Sequence, residues 1–207
     1  MQLATSIMLK PTDSPLVTAE QFIDSKFDLP EGGRWTELHA GVVTTLEPPD
    51  DPHGNVVRNL SRLLAEFSQT HSTGYACFEL GFIVARQPDT IYFPPISYIT
   101  TGERFAETDE IATKRLPDLI VEIASTNDRR RGMAARVQHY LNWHVPTIWV
   151  ADTVARELHV FNPHRSPRQY KGDQILLADA PLTDFQTPIA PLFTDPDWWS
   201  TNPKPTN

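Results

Sequence analysis

The sequence has little of the material from which cross-linked, zinc-bound or membrane-embedded proteins are built. Its 207 residues include one cysteine, Cys77, which cannot form an internal disulfide bond, and no Cys/His spacing typical of a zinc site occurs. No apolar run approaches the roughly 20 residues that a membrane-spanning helix needs. The first residues lack the basic segment followed by an apolar one that marks a signal peptide. We therefore expect a cytoplasmic protein with no membrane partner.

Basic residues are also scarce. The chain has 18 Lys and Arg against 26 Asp and Glu, which gives a formal net charge of −8 and a pI near 5.3. This balance excludes a broadly basic nucleic-acid-binding surface. Any contact with nucleic acid therefore has to be local or assisted by a metal ion.

Proline, by contrast, is abundant, with 19 residues that mark loops and chain ends. We predict a flexible N-terminal arm at 1–17, a single domain at 18–187 and a Pro-rich C-terminal tail at 188–207. A domain of this length can bury a sizeable core.

Along this domain, some segments have apolar residues at the spacing of a helix and others at the spacing of a strand. A capping box at Thr18–Gln21 predicts a short helix, and apolar residues recur at helical spacing from 55 to 70. The other predicted elements are a hairpin at 34–46, a loop at 47–54, strands at 75–85, 91–99, 116–125 and 174–178, a helix at 130–143 and a hairpin at 147–161. This order predicts an α/β (α+β) domain with a central mixed β-sheet flanked by helices.

One predicted strand, LPDLIVEIAS at 116–125, is strongly apolar and yet carries two carboxylates. Asp118 and Glu122 lie on the same face, because residues of equal parity share a face in a strand. Four steps of about 3.3 Å separate them by roughly 13 Å, too far to bind one metal ion together. Asp118, at the strand start, either hydrogen-bonds to nearby backbone amides or belongs to a site.

Glu122 lies deep in the apolar run, where an ionised carboxylate is costly unless a cation or a hydrogen-bond donor lies beside it. The helix at 130–143 offers Arg136, on the flank of its apolar stripe that leans over the sheet. Spacing alone leaves two interpretations open. Glu122 and Arg136 form a buried ion pair, or Glu122 has a metal-binding or catalytic role.

The order of several short motifs resembles the Uma-two family, a "putative restriction endonuclease" domain. The motifs are LPDLIVEIAS, the following NDRRRGMAARVQHYLNWHVPTIWVADTVARELHVFNP, and upstream TAEQF, GGRWTELHAG, LEPPDDPHGNVVRNLSRLL and RQPDTIYFPPISYI. They cover about residues 18 to 163. The resemblance implies the restriction-endonuclease-like PD-(D/E)XK fold and an endonuclease that hydrolyses the phosphodiester bonds of nucleic acid.

The resemblance also implies a site made of a Glu, an Asp, a second Glu and a Lys, which holds Mg²⁺ or Mn²⁺. The metal ion polarises the scissile phosphate and lowers the pKa of an attacking water, which the Lys positions. In this sequence the Asp position carries Pro95, the Glu after the hairpin glycine is Val42, and the Lys position carries Arg136. Glu122 remains, and His53 matches a histidine that the family often has at the start of its long helix.

Three of the four implied site residues are therefore changed, and we expect a degenerate site in which Arg136 neutralises Glu122. His53 is expected to cap or hydrogen-bond at the start of the long helix. The candidate catalytic residues are Glu122, Arg136 and Asp118, the candidate metal ligand is Glu122, and the residues that could replace lost ligands are Asp89, Glu37 and Glu47.

Three functions remain open at this point. The first is a Mg²⁺-dependent endonuclease acting on nucleic acid, with DNA as the expected substrate. The second is a non-catalytic descendant of that fold that binds nucleic acid or a partner protein. The third is an interaction module that forms a homodimer through its Pro- and Trp-rich tail. The enzyme must bind a divalent metal ion through Glu122, whereas the other two need no metal ion.

Overall fold

The computed structural model describes residues 15–71, 74–103, 106 and 109–200. The α-helices in these ranges are α1 (Ala19–Ser25), α2 (Asp51–His71), α3 (Asn127–Asn142) and α4 (Asp197–Ser200). The capping box predicted at the start of α1 is present, because the Thr18 hydroxyl accepts from the N–H of Gln21 and the Gln21 side chain accepts from the N–H of Thr18. No helix within the described ranges is both long and apolar enough to cross a membrane.

Helix α2 begins at Asp51, inside the segment that the sequence predicts to be a loop. Pro52 fits the first turn of a helix, where its missing N–H is not needed. The Asp50 carboxylate accepts a hydrogen bond from the N–H of His53 at 2.9 Å and so caps the helix start. These local signals extend α2 by one turn.

The strands of the described ranges form two large sheets and one pair. The first sheet has the order β2 (Val42–Thr45), β1 (Thr36–His39), β5 (Thr90–Tyr92), β4 (Gly81–Ala85) and β7 (Ala112–Thr113). The second has the order β11 (Arg165–Lys171), β10 (Glu157–Asn162), β9 (Thr147–Asp152), β8 (Leu119–Ala124), β6 (Ile96–Ile99) and β3 (Tyr75–Phe78), and the pair is β12 (Ile175–Leu177) with β13 (Gln186–Pro188). Since β8 and β9 are parallel and their outer neighbours antiparallel, the predicted α/β (α+β) class with a mixed sheet flanked by helices is confirmed.

Two predicted strands, at 75–85 and 91–99, are wrong as single strands, because each run contributes one strand to each large sheet. The first run breaks at Glu79, whose φ of 50° lies in the left-handed region that a strand cannot contain. The second breaks at Pro94–Pro95, because proline has no N–H to give to a ladder. The two sheets are thus joined twice by neighbouring segments, and the candidate site lies at this junction.

The six-stranded sheet has a core on each face. Leu119, Val121 and Ile123 of β8 pack with residues of α2 and of the C-terminal segment. On the other face, Ile120 packs in a second cluster with residues of α3 and of the five-stranded sheet. Glu122 shares the face of Ile120 by parity, which directs its carboxylate toward α3 and the five-stranded sheet.

The division into an arm, a domain and a tail stays a prediction, since residues 1–14 and 201–207 lie outside the described ranges. Within the predicted tail, Ile189, Leu192 and Phe193 are buried in the same core cluster as α2. The beginning of this segment therefore contributes to the packing of the domain.

Candidate functional site

The predicted ion pair between Glu122 and Arg136 is present and buried, with 3% and 5% of the two residues exposed. Arg136 donates from Nε and Nη2 to Oε1 of Glu122, at 2.9 and 2.8 Å. The Tyr140 hydroxyl donates to the same oxygen at 2.5 Å. Because Tyr140 follows Arg136 by four residues, one face of α3 holds both donors over β8.

A second carboxylate, Glu37 of β1, binds the other edge of the same guanidinium. Its Oε2 accepts from Nη1 of Arg136 at 2.5 Å, and its Oε1 accepts from Nη2 at 2.9 Å. Oε1 also accepts from the backbone N–H of Phe93 at 3.1 Å. Arg136 is therefore shared by two buried carboxylates, one from each large sheet.

Burial disfavours the charged forms of these side chains, but the attraction between their opposite charges is the stronger effect. Burial would lower the pKa of Arg136, but the charges of Glu122 and Glu37 raise it well above its ordinary value. Burial would raise the pKa of Glu37, but the Arg136 charge and the hydrogen bonds that Glu37 accepts hold it at about 2. The Tyr92 ring adds a cation–π contact, 4.2 Å from the guanidinium carbon.

The depressed pKa of Glu37 predicts a loss of stability in acid. A carboxyl group whose pKa is lower in the folded than in the unfolded state stabilises the protein above its unfolded pKa near 4.5 and loses that effect as the pH falls toward 2. A shift of this size corresponds to about 3 kcal/mol. We expect urea titrations to show that the difference in free energy of unfolding between wild type and Glu37→Gln is constant near pH 6 and narrows as the pH falls from about 5 to 3.

Glu66→Gln, at an exposed position of α2, is the matched control and should keep a constant, small gap over that range. A gap for Glu37→Gln that is independent of pH would show that the Glu37 charge does not contribute to folding.

His53 lies buried near this network, in the first turn of α2. Its Nδ1 lies 3.1 Å from the hydroxyl of Ser125, directly after β8. Burial first, and then the nearby charge of Arg129, lower the pKa of His53 to about 4, although Asp50 opposes them. His53 is therefore neutral at neutral pH. It is not the cap of α2, a role that Asp50 takes.

A cavity of about 750 Å³ borders the ion network. Glu37, Glu122 and Arg136 form part of its wall, with His53 and Arg129 beside them. All three hydrogen bonds that described residues make to Glu122 end on Oε1. No described residue hydrogen-bonds to the second oxygen, Oε2.

Two other predicted site residues bond elsewhere. Oδ2 of Asp118 accepts from the N–H and the hydroxyl of Thr100, both at 2.7 Å, which matches the structural interpretation of a carboxylate at a strand start. Asp89 accepts from the N–H of Ala19 at 2.7 Å and from Arg86 at 2.8 Å, so it fastens the start of α1. Neither carboxylate hydrogen-bonds to the Arg136 network.

The residues present do not fit a Mg²⁺ site. Within the described ranges no group of three or more His, Cys, Asp or Glu side chains is placed to hold a metal ion. The pairing of Ile96 with Val121 puts position 95 opposite Glu122 at the next step of the ladder, where a carboxylate would be a close neighbour. Pro95 supplies none, and the Arg136 guanidinium holds three of the four carboxylate oxygens of Glu37 and Glu122, which a cation would need as ligands. No catalytic step is therefore assigned to Mg²⁺ here.

The arginine run after β8 is mostly engaged in structural contacts. Arg130 donates two hydrogen bonds to Asp152, at 2.7 and 3.0 Å. Arg129 donates from Nη1 to the carbonyl of Glu47 and to the Thr126 hydroxyl. Among the described residues, no acceptor binds Nη2 of Arg129, so this is the part of the run that is open to the cavity.

Comparison with known proteins places this arrangement in a wider context. A family model described as "Putative restriction endonuclease" (Uma2) matches residues 19–190. A crystal structure from Anabaena variabilis, described as "a putative nuclease belonging to DUF820", is similar with a TM-score of 0.70 and 18% sequence identity, over 83% of this chain and 96% of that chain. This likeness shows a shared fold. No curated protein matches the sequence.

Proposed function

Because this chain belongs to the Uma2 family, described as "Putative restriction endonuclease", we propose that it binds nucleic acid at the cavity beside Glu122 but does not cleave it by the Mg²⁺-dependent mechanism. One observation carries this proposal. The guanidinium of Arg136 is bound by two buried carboxylates, Glu122 and Glu37, where a metal site would present those oxygens to a cation.

Arg136 cannot take over the part of a catalytic lysine in this position. Its raised pKa keeps it protonated, so it can neither accept a proton from water nor release one. The four hydrogen bonds to Glu122 and Glu37 fix the guanidinium in the wall. Separating it from either carboxylate would leave a buried charge without its partner.

Two arginines in the cavity wall support nucleic acid as the ligand, although Glu79, Asp109 and Glu110 also line it. Arg129 and Arg34 line it, and planar guanidinium groups bind phosphate oxygens well. With a net charge of −8 over the whole chain, these cations form the local contact that the charge balance requires. DNA and a homodimeric assembly stay predictions, which binding assays and sedimentation velocity would test.

A second candidate, hydrolysis with Mg²⁺ or Mn²⁺, is favoured by one observation. Oε2 of Glu122 receives no hydrogen bond from a described residue, and Glu122 lines the cavity. A Mg²⁺ ion bound through one carboxylate and substrate phosphates is known chemistry. In this case the metal ion would arrive with the nucleic acid.

Metal binding separates the two candidates, and calorimetry measures it without knowledge of the substrate. We expect no saturable heat when Mg²⁺ or Mn²⁺ is titrated into the wild type or into Glu122→Gln, because one free carboxylate oxygen makes a weak site. The titration is then repeated with a single-stranded oligonucleotide present. Saturable binding in the wild type that disappears in Glu122→Gln would favour the hydrolase over our proposal.

A further inference from the structure

Aromatic side chains border the same cavity that holds the ion network. Phe27, Trp35 and Phe93 all line it. The ring of Phe93 is covered by Nζ of Lys26, 4.2 Å from its centre. Phe27 and Trp35 stack on no ring among the described residues, and Phe27 is 70% exposed. Phe27 therefore presents an exposed ring beside the cavity, and the partly buried ring of Trp35 belongs to the same wall.

Trp35 is held in place at a conformational cost. Its φ of 53°, like that of Glu31 at 55°, lies in the left-handed region, which is unusual for a bulky side chain. Lys26 fixes the segment, because its Nζ donates to the carbonyls of Gly33 at 2.6 Å and Thr36 at 3.1 Å. The strain is thus located where an indole borders the cavity.

Two residues of the same walls each have a polar atom without a protein partner among the described residues. The Nε2 of His53 has no hydrogen-bond partner among the described residues, although the residue is 7% exposed. The same holds for Oε2 of Glu122, which is 3% exposed. Two largely buried residues that line the cavity therefore each keep one polar atom without a protein partner, and Arg129 keeps Nη2 as a further donor.

These features together match what a binding site for one unstacked nucleotide requires. Bases of single strands stack on aromatic side chains, while cationic groups hold the backbone. A base within a duplex stacks on the neighbouring bases and therefore cannot stack on an aromatic ring of the cavity wall. A volume of about 750 Å³ is within the range of pockets that enclose small ligands.

We propose that the cavity takes one unpaired nucleotide of a single-stranded nucleic acid, with the base against Phe27 and Trp35 and the phosphate toward Arg129 and His53. This inference rests on the proposed function and narrows it to unpaired substrates. Oε2 of Glu122 is then an acceptor for an amino or hydroxyl group of the nucleotide. DNA and RNA share this chemistry, so the experiment includes both.

Fluorescence anisotropy with the full chain tests the proposal. The probes are fluorescein-labelled oligo-dT, oligo-U and a duplex of equal length. We expect the wild type to bind at least one single strand at least about tenfold more tightly than the duplex. Phe27→Ala should weaken single-strand binding roughly 5- to 150-fold, the usual effect of removing one stacking ring.

Phe78→Ala is the matched control, because Phe78 is also an exposed phenylalanine, at 51%, but lines a neighbouring cavity. It should leave binding unchanged. Trp35→Asn is a second variant, since asparagine tolerates the left-handed backbone, and it should weaken binding like Phe27→Ala. Thermal unfolding of each variant verifies that it folds.

Three results would count against the proposal in different ways. Equal binding of duplex and single strand, unaffected by Phe27→Ala and weakened by Arg129→Ala, would overturn the unpaired-nucleotide inference and leave the proposed function standing. Single-strand binding that Phe78→Ala weakens but Phe27→Ala does not would place the site in the neighbouring cavity. Binding of no probe would overturn both the inference and the proposed function.

Discussion

Arg136→Met is expected to lower the free energy of unfolding by about 3 to 5 kcal/mol, the usual effect of breaking a buried ion network by removing one partner. The methionine fills much of the same volume, so the loss comes from charge and hydrogen bonds more than from a cavity. Glu122 and Glu37 would stay buried without their shared cation, and both are at most 3% exposed. Urea or thermal unfolding at pH 7 measures the effect.

Arg130→Met is the matched control, since it removes the same side chain from the same helix. Arg130 pairs with Asp152 at 2.7 Å, but both side chains are about a quarter exposed, at 27% and 24%. We therefore expect a loss of at most about 1 kcal/mol. Similar losses of stability for the two variants would mean that burial does not make the Arg136 network more stabilising than an exposed ion pair.

The pH dependence of Arg136→Met gives an independent test of the cause. Without the guanidinium, burial raises the pKa of the stranded Glu37 carboxyl group above its unfolded value. Protonation then reduces the destabilisation of the variant as the pH falls, whereas the wild type loses the stability that ionised Glu37 contributes. The difference in free energy of unfolding between the wild type and Arg136→Met should be smaller at pH 4 than at pH 8. A gap that widens in acid would contradict the assignment of the loss to unpaired carboxylates.

The double substitution Pro95→Asp with Arg136→Lys is expected to create Mg²⁺ binding where the wild type has none. The strand register puts position 95 opposite Glu122, so the new carboxylate would lie close to the old one. Lysine no longer bridges Glu122 and Glu37 through a planar fork, which frees their oxygens. We expect saturable binding in the millimolar range or tighter, measured by calorimetry.

The single variants separate the two causes of the expected Mg²⁺ binding, which are the added carboxylate and the removed guanidinium. Pro95→Asp alone keeps the guanidinium in competition with the metal ion, and Arg136→Lys alone lacks the added ligand, so each should bind weakly or not at all. Adding Glu122→Gln to the double variant should abolish binding. Binding that survives Glu122→Gln would mean that the metal ion lies elsewhere, and a folded double variant with no binding would show that more than these two positions separate the chain from a metal site.

The sequence alone was sufficient where the determining interactions are local. The apolar run at 116–125 predicted a strand, and β8 lies within it and is buried along its whole length. The helical repeat before Pro146 predicted α3 and placed Arg136 over Glu122, because a strand and the helix that follows it usually pack together. The ordered motifs were enough to identify the family.

Other features follow from contacts that no local pattern encodes. The polar run RSPRQYK forms β11, although it lacks the apolar alternation that marks a strand. The runs at 75–85 and 91–99 look continuous, and only packing of two sheets decides where each divides. The sequence named Glu37 only as one of several acids that could replace lost ligands.

The sequence by itself thus determined the fold class and the family, and it placed Arg136 near Glu122 without deciding between an ion pair and a metal or catalytic site. Tertiary structure decided that Glu37 binds the same guanidinium across 99 residues of chain, and that Asp118 and Asp89 are engaged elsewhere. The physical reason is the range of the interactions. Periodicity and capping act over a few residues, whereas the partner of a buried charge is chosen by which distant strands the folded core brings together.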